Sequence, residues 1–251
     1  MKIAPLPDWP YPAWIAHRGA GLLAPENTLA AFRLGAAHGY RMFECDAKLS
    51  ADGVVFLLHD TELDRTTNGH GVAGDQSWPA LSRLDAGSWH GRQWAGEPLC
   101  TLQALANWCL ANRLMLNIEI KPTPGQEEAT GRQVAELADQ LWQASPGSVP
   151  PLLTSFRPEA LAGARAAAPG LPRGLLLHTL WDGWSEMSRS LACRAIVCHH
   201  PLWSEALVDT VRRQGMRCLA YTVNEDDEVL RLQGLGLDGL ITDRVDRYAP
   251  S

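Results

Sequence analysis

The sequence predicts an α/β fold: one (β/α)8 TIM barrel with a small insertion after the second strand and its hairpin. Short β-rich runs alternate with helical patterns along the chain, the sequence form of a parallel α/β sheet. One apolar run, Val54 to His59, lies too close to its predecessor to be a parallel neighbour. Setting it aside leaves eight strands, the number such a barrel closes with. A length of 251 residues suits one barrel domain over 1–251.

The first strand is Ala13-Trp14-Ile15-Ala16-His17. A helix follows over 27–38, with Asn27 or Thr28 as its cap, Leu29, Phe32 and Ala36 on one face, and Gly39 as its stop. The second strand is 41–46. Only residues 47–53 separate Asp46 from Val54, and a parallel crossover needs about a dozen. Ser50-Ala51-Asp52-Gly53 is a turn signal, so Val54 to His59 is expected to fold back antiparallel on Ala47 to Ser50. A two-residue loop there sets His59 opposite either Glu44 or Asp46, and both registers return it to the height of the carboxylates. Residues from about 60 to 98 are rich in Gly, Trp, Thr and Asp without periodicity and read as an insertion over the barrel mouth. Later strands are expected at 114–120, 151–155, 174–178, 195–198, 217–222 and 239–242. The clearest intervening helices are 126–143, 159–168, 204–214 and 226–232, with a weaker one between His178 and Ala195.

The chain carries 22 basic and 28 acidic residues, a net charge of −6. That weighs against a nucleic-acid partner, which calls for a basic face, but not against a small phosphate ester. Six cysteines include no C-x-x-C pair and read as reduced, buried thiols. The N-terminal stretch has no long apolar run, so neither a leader nor a membrane span is expected, and the location expected is cytoplasmic.

Strand C-terminal ends face the active site of such a barrel. Three of them here are polar: His17-Arg18-Gly19, Glu44-Cys45-Asp46 and Glu119-Ile120-Lys121. Glu44 and Asp46 share a strand face, as do Glu119 and Lys121. Converging carboxylates repel one another without a cation, and hard oxygen donors suit Mg2+ or Ca2+. A set of separate salt bridges with Arg18, Arg41 and Lys121 is the structural alternative. His17 and His59 form a candidate acid/base pair, since imidazoles titrate near neutrality. Arg18 and Lys121 are candidates to balance phosphoryl charge. His38, His70, His90 and His178 read as structural, and His199-His200 stays open.

These residues resemble the glycerophosphodiester phosphodiesterase family. The match runs through His17-Arg18-Gly19, Pro25-Glu26-Asn27-Thr28, Glu44-Cys45-Asp46, Asp52-Gly53, His59-Asp60 and Thr66-Thr67-Asn68-Gly69. It continues with Glu119-Ile120-Lys121, Tyr221-Thr222-Val223-Asn224 and Asp238-Gly239-Leu240-Ile241-Thr242-Asp243. Each motif alone is weak, but the ordered set is specific. The resemblance implies a TIM barrel, a divalent metal on Glu44, Asp46 and Glu119, a catalytic pair His17 and His59, and Arg18 and Lys121 near the phosphate. It implies release of an alcohol and glycerol 3-phosphate from a small-molecule glycerophosphodiester, in a cytoplasmic form of the family. The family often has Trp where Tyr221 stands, and an aliphatic residue where Cys45 stands, which should point away from the site. Glu26 and Asn27 are expected to support His17 or Arg18, unless Asn27 only caps its helix. Phe156 follows a strand end and packs against a glycerol or alcohol group or into the core. The nearest alternative is a phosphodiesterase acting on lysophospholipids, with Trp78, Trp89 and Trp94 building an acyl channel or a small core. A non-catalytic binding barrel is the alternative of a different class.

Overall fold

The computed structural model describes residues 8–248; residues 1–7, where no leader is expected, lie outside the described residues. The chain opens with β1 (Trp14–Ala16), α1 (Leu29–Ala37), β2 (Met42–Leu49) and β3 (Val55–Leu57). After α2 (Trp78–Leu81) and α3 (Leu102–Ala111) come β4 (Met115–Ile120), α4 (Glu127–Gln143), β5 (Leu152–Ser155), α5 (Pro158–Ala167) and β6 (Arg173–Leu177). The remainder is α6 (Trp184–Ser190), β7 (Ala195–His199), α7 (Glu205–Arg213), β8 (Arg217–Tyr221), α8 (Asp226–Gly234) and β9 (Gly239–Thr242).

Eight strands are parallel and closed, because β1 pairs with β9 (Trp14↔Leu240) and with β2 (Ala16↔Phe43). The strand outside the barrel is β3, antiparallel to β2 through Ala47↔Leu57 and Leu49↔Val55. This is the expected (β/α)8 barrel with its hairpin. The hairpin register differs from both expected values. Ser50 N donates to Val54 O, so the loop has three residues, 51–53, and Gly53 takes the left-handed φ of +84° that such a loop needs. Extending the pairing by two residues sets His59 level with Cys45, midway between the two carboxylate positions.

Strand parity sorts the core. Ile15, Met42, Leu152, Leu176, Val197, Leu219 and Ile241 fill the barrel interior, while Phe43, Cys45, Leu116 and Ile118 face the helices. Cys45 therefore turns away from the mouth, as expected. All six cysteines are free and buried. Thr28 caps α1 by accepting from Ala31 N at 3.3 Å, which releases the Asn27 side chain for another task. Between β3 and α3, Phe56, Leu58, Leu63, Ala73, Leu81, Ala86 and Leu99 form a small separate core, with Trp78 packed on it. Trp94 packs on the main core instead, and Trp89 is exposed. Among the described residues no helix is long and apolar enough to cross a membrane.

Candidate active site

The polar strand ends meet at the C-terminal mouth of the barrel. Within β2, Glu44 and Asp46 point inward on one parity, and β4 lies beside it with Asp46 level with Glu119. One carboxylate oxygen from each of Glu44, Asp46 and Glu119 lies within 4.8 Å of the others. All three side chains are buried.

The compensation they receive is unequal. Asp46 is held by Arg18 Nε at 3.1 Å and by Asn27 Nδ2 at 2.8 Å, while Asn27 Oδ1 accepts from Asp46 N at 3.0 Å. Glu119 Oε1 has Lys121 Nζ at 2.7 Å. Among the described residues, Glu44 accepts only the Arg18 backbone N–H, at 3.1 Å, with His17 Nε2 3.8 Å away. Burial, and then the charges of Asp46 and Glu119, push Glu44 well above its ordinary value. Burial likewise lifts Glu119 to about 7, against the pull of Lys121. Asp46 moves the other way, because Arg18 and Lys121 outweigh its burial. Among the described residues, Glu44 Oε1 and Asp46 Oδ1 are buried with no hydrogen-bond donor. Unpartnered buried carboxylate oxygens aimed at one point are costly in a protein interior and suit a hard divalent cation. The salt-bridge alternative accounts for Arg18 and Lys121, the latter 3.9 Å from Asp46 Oδ1, but leaves Glu44 Oε1 unexplained, and Arg41 is exposed at the other end of β2.

The two imidazoles flank this cluster. His17 Nδ1 lies 2.6 Å from Asp243 Oδ1, and His59 Nδ1 lies 2.6 Å from Asp60 Oδ1. A carboxylate at Nδ1 favours the Nδ1–H tautomer and leaves Nε2 free to exchange a proton. Burial lowers His59 below the ordinary histidine value, opposed by the charge of Asp46. Burial would raise Asp243, but its bond to His17 keeps it below the ordinary carboxylate value.

The backbone here is strained. Arg18 has φ of 50° and Asn27 has φ of 60°, left-handed values that cost an ordinary residue of order 1–3 kcal/mol. Both are anchored to the cluster, Arg18 through its backbone N–H to Glu44 and Asn27 through Asp46, so the strain positions Arg18 over the carboxylates. Gly19, at φ of +103°, lets this loop press on α1; a Cβ there would meet Ala31 Cβ at 2.8 Å.

Several site residues were not read from sequence as acting there. Asp243 follows β9, which only barrel closure brings beside His17. Asn224 donates to Asp243 Oδ2 at 2.9 Å. Arg65 bonds Glu26 through both terminal nitrogens at 2.8 Å and Asp60 at 2.6 Å, so a charge chain Arg18–Glu26–Arg65–Asp60 ends on His59. Lys48 continues the Glu44–Asp46 parity; it is buried, donates to Lys121 O at 3.0 Å, and burial lowers it to about 8. That parity was the available signal. Phe156 lies with its ring centroid 5.3 Å from Lys121 Nζ and edge-on to Tyr221 at 5.7 Å, at the rim of the same mouth.

The chain matches the family model described as the glycerophosphoryl diester phosphodiesterase family over residues 17–247. It is 32% identical over 237 residues to a glycerophosphodiester phosphodiesterase of Caldanaerobacter subterraneus subsp. tengcongensis, covering 91% of this chain and 93% of that protein. Among solved structures it is similar to an Oleispira antarctica phosphodiesterase in complex with the product sn-glycerol-3-phosphate, at TM-score 0.86 and 35% identity, covering 92% of this chain and 93% of that one. It is also similar to a glycerophosphodiester phosphodiesterase of Agrobacterium tumefaciens str. C58, at TM-score 0.81 and 29% identity, with 96% and 100% covered.

Proposed function

The chain belongs to the glycerophosphoryl diester phosphodiesterase family, and from that premise we propose that it hydrolyses glycerophosphodiesters to an alcohol and glycerol 3-phosphate, with His17 and His59 exchanging the protons. The observation that carries this reading is the convergence of two aspartate-held imidazoles on a buried cluster of three carboxylates. The product held by the Oleispira relative supports the identity of the phosphate-bearing fragment.

Glu44, Asp46 and Glu119 would hold the divalent cation, Mg2+ or Ca2+, which when bound supplies positive charge to the phosphoryl group and a fixed orientation for it. Arg18 and Lys121 bracket the cluster and offer N–H donors to phosphoryl oxygens. Nε2 of one imidazole takes the proton of the attacking oxygen, from water or from the glycerol 2-hydroxyl, and in the second case water then opens the cyclic glycerophosphate to glycerol 3-phosphate. Nε2 of the other donates a proton to the departing alkoxide. Glu26 and Arg65 hold Arg18 and Asp60 in place, and Asn27 fixes Asp46. The proposal includes a reducing, cytoplasmic setting, supported by six unpaired thiols.

Incubation with glycerophosphocholine should yield glycerol 3-phosphate and choline. A chelator should abolish turnover, and added Mg2+ or Ca2+ should restore it. Release of phosphocholine and glycerol, or chelator-insensitive turnover, would contradict the reading.

One observation favours a second reading, action on lysophospholipids. A cavity of about 230 Å3 beside His17 is flanked by Leu22, 66% exposed, and Trp89, 41% exposed. These apolar groups could carry an acyl chain. Greater kcat/KM on lysophosphatidylcholine than on glycerophosphocholine would select this reading.

Asp243→Asn tests the positioning of His17. The amide can present its N–H to Nδ1 and favour the wrong tautomer. The expected outcome is a fall in kcat of about 10–100-fold with little change in KM.

A further inference from the structure

The half of the mouth facing the acidic cluster is built of rings. Phe156 follows β5, His178 follows β6, and His199 and Tyr221 end β7 and β8. Their contacts run in series: Phe156 to Tyr221 at 5.7 Å, Tyr221 to His199 at 6.0 Å, and His199 to His178 at 4.8 Å. The charged half comes from β1, β2 and β4. A phosphodiester seated there lies opposite the ring wall.

His178 and His199 stack with planes 20° apart. Neither ring makes a hydrogen bond or ion pair to any described residue; His178 is exposed and His199 partly exposed. Three other histidines differ: His17, His59 and His200 each hold a carboxylate at Nδ1, the last being Glu228 at 2.7 Å. The stacked pair thus presents four ring nitrogens without protein partners. Partial burial, and then the charges of His200 and His178, lower His199 below its ordinary value and favour the neutral ring.

A neutral imidazole offers one donor and one acceptor, which is what a hydroxyl group can use in both directions. A quaternary ammonium can use neither, and is held only by ring faces, of which Phe156 is already covered by the Lys121 ammonium at 5.3 Å. Glu228 is already engaged by His200 and Arg231. Resting on the phosphodiesterase reading above, we propose that His178 and His199 form the subsite for the alcohol arm and select polyhydroxylated alcohols over quaternary ammonium alcohols.

The test is the ratio of kcat/KM on glycerophosphoglycerol to that on glycerophosphocholine, with a divalent cation supplied. The wild-type ratio should exceed one. His178→Phe and His199→Phe keep a stacked ring but delete the nitrogens, and each should lower the ratio about tenfold, the worth of one hydrogen bond. A wild-type preference for the choline ester, or a ratio unchanged in both variants, overturns the subsite. Equal losses on both esters also overturn it, placing the rings against the shared glycerol. Absence of hydrolysis of either ester by the wild type overturns the phosphodiesterase reading itself.

Discussion

His59→Ala lowers kcat on glycerophosphocholine by about 10²–10⁴-fold, and His17→Ala does the same. Each imidazole has its Nδ1 occupied by an aspartate at 2.6 Å, so each contributes one free nitrogen beside the carboxylate cluster. If one nitrogen removes a proton while the other supplies one, neither variant retains a complete path. The double variant should then fall little further than the worse single variant, since groups acting as a unit are not additive. His17 and His59 are partly exposed, so the folds should survive, checked by an unchanged far-UV spectrum and cooperative melting. Near-wild-type kcat in either folded variant would remove that histidine from the chemistry.

The second large effect concerns stability. Glu44→Gln should raise the Tm of the metal-free protein and abolish the further rise that a divalent cation produces. Glu44 is the least compensated member of the cluster, with one backbone donor and no close ion pair. Burial and the neighbouring carboxylates disfavour its charge, whereas Asp46 and Glu119 have Arg18 and Lys121. A neutral side chain of the same shape removes that repulsion, and each kcal/mol relieved is worth about 2–4 °C in a chain of this size. In the wild type, a cation at a hundredfold excess over its Kd should add about 2.7 kcal/mol, or roughly 5–10 °C. Differential scanning calorimetry with and without Mg2+ or Ca2+ reads both effects. A lower metal-free Tm in Glu44→Gln, or a cation-induced rise equal to that of wild type, would count against a cation site at this cluster.

Much of this arrangement was legible in the chain. Strand parity alone put Glu44 with Asp46 and Glu119 with Lys121, because alternate residues of a strand share a face. The short spacing from Asp46 to Val54 identified β3 as a hairpin strand, because no crossover fits in seven residues. Helix α3 has its own signal, a Thr101 cap followed by Leu102, Leu105, Ala106 and Cys109 at helical spacing, but it follows directly on the aperiodic insertion, which hides its start. The hairpin register also escaped, because a turn signal does not distinguish two loop residues from three. Asn27 showed two plausible uses, and the choice fell to its neighbour: Thr28 caps α1, and Asn27 is left to bind Asp46 on both sides of its amide.

By itself the sequence determined the barrel, its outlying hairpin and the parity of the acidic residues, since these rest on local spacing and on which side chains alternate. Tertiary structure decided the partners of the imidazoles. Asp243 stands 226 residues from His17, and Arg65 is joined to Glu26 across 39. Such pairings depend on closure of β9 against β1 and on how the loops fold over the mouth, and a distance set by closure leaves no periodic trace along the chain.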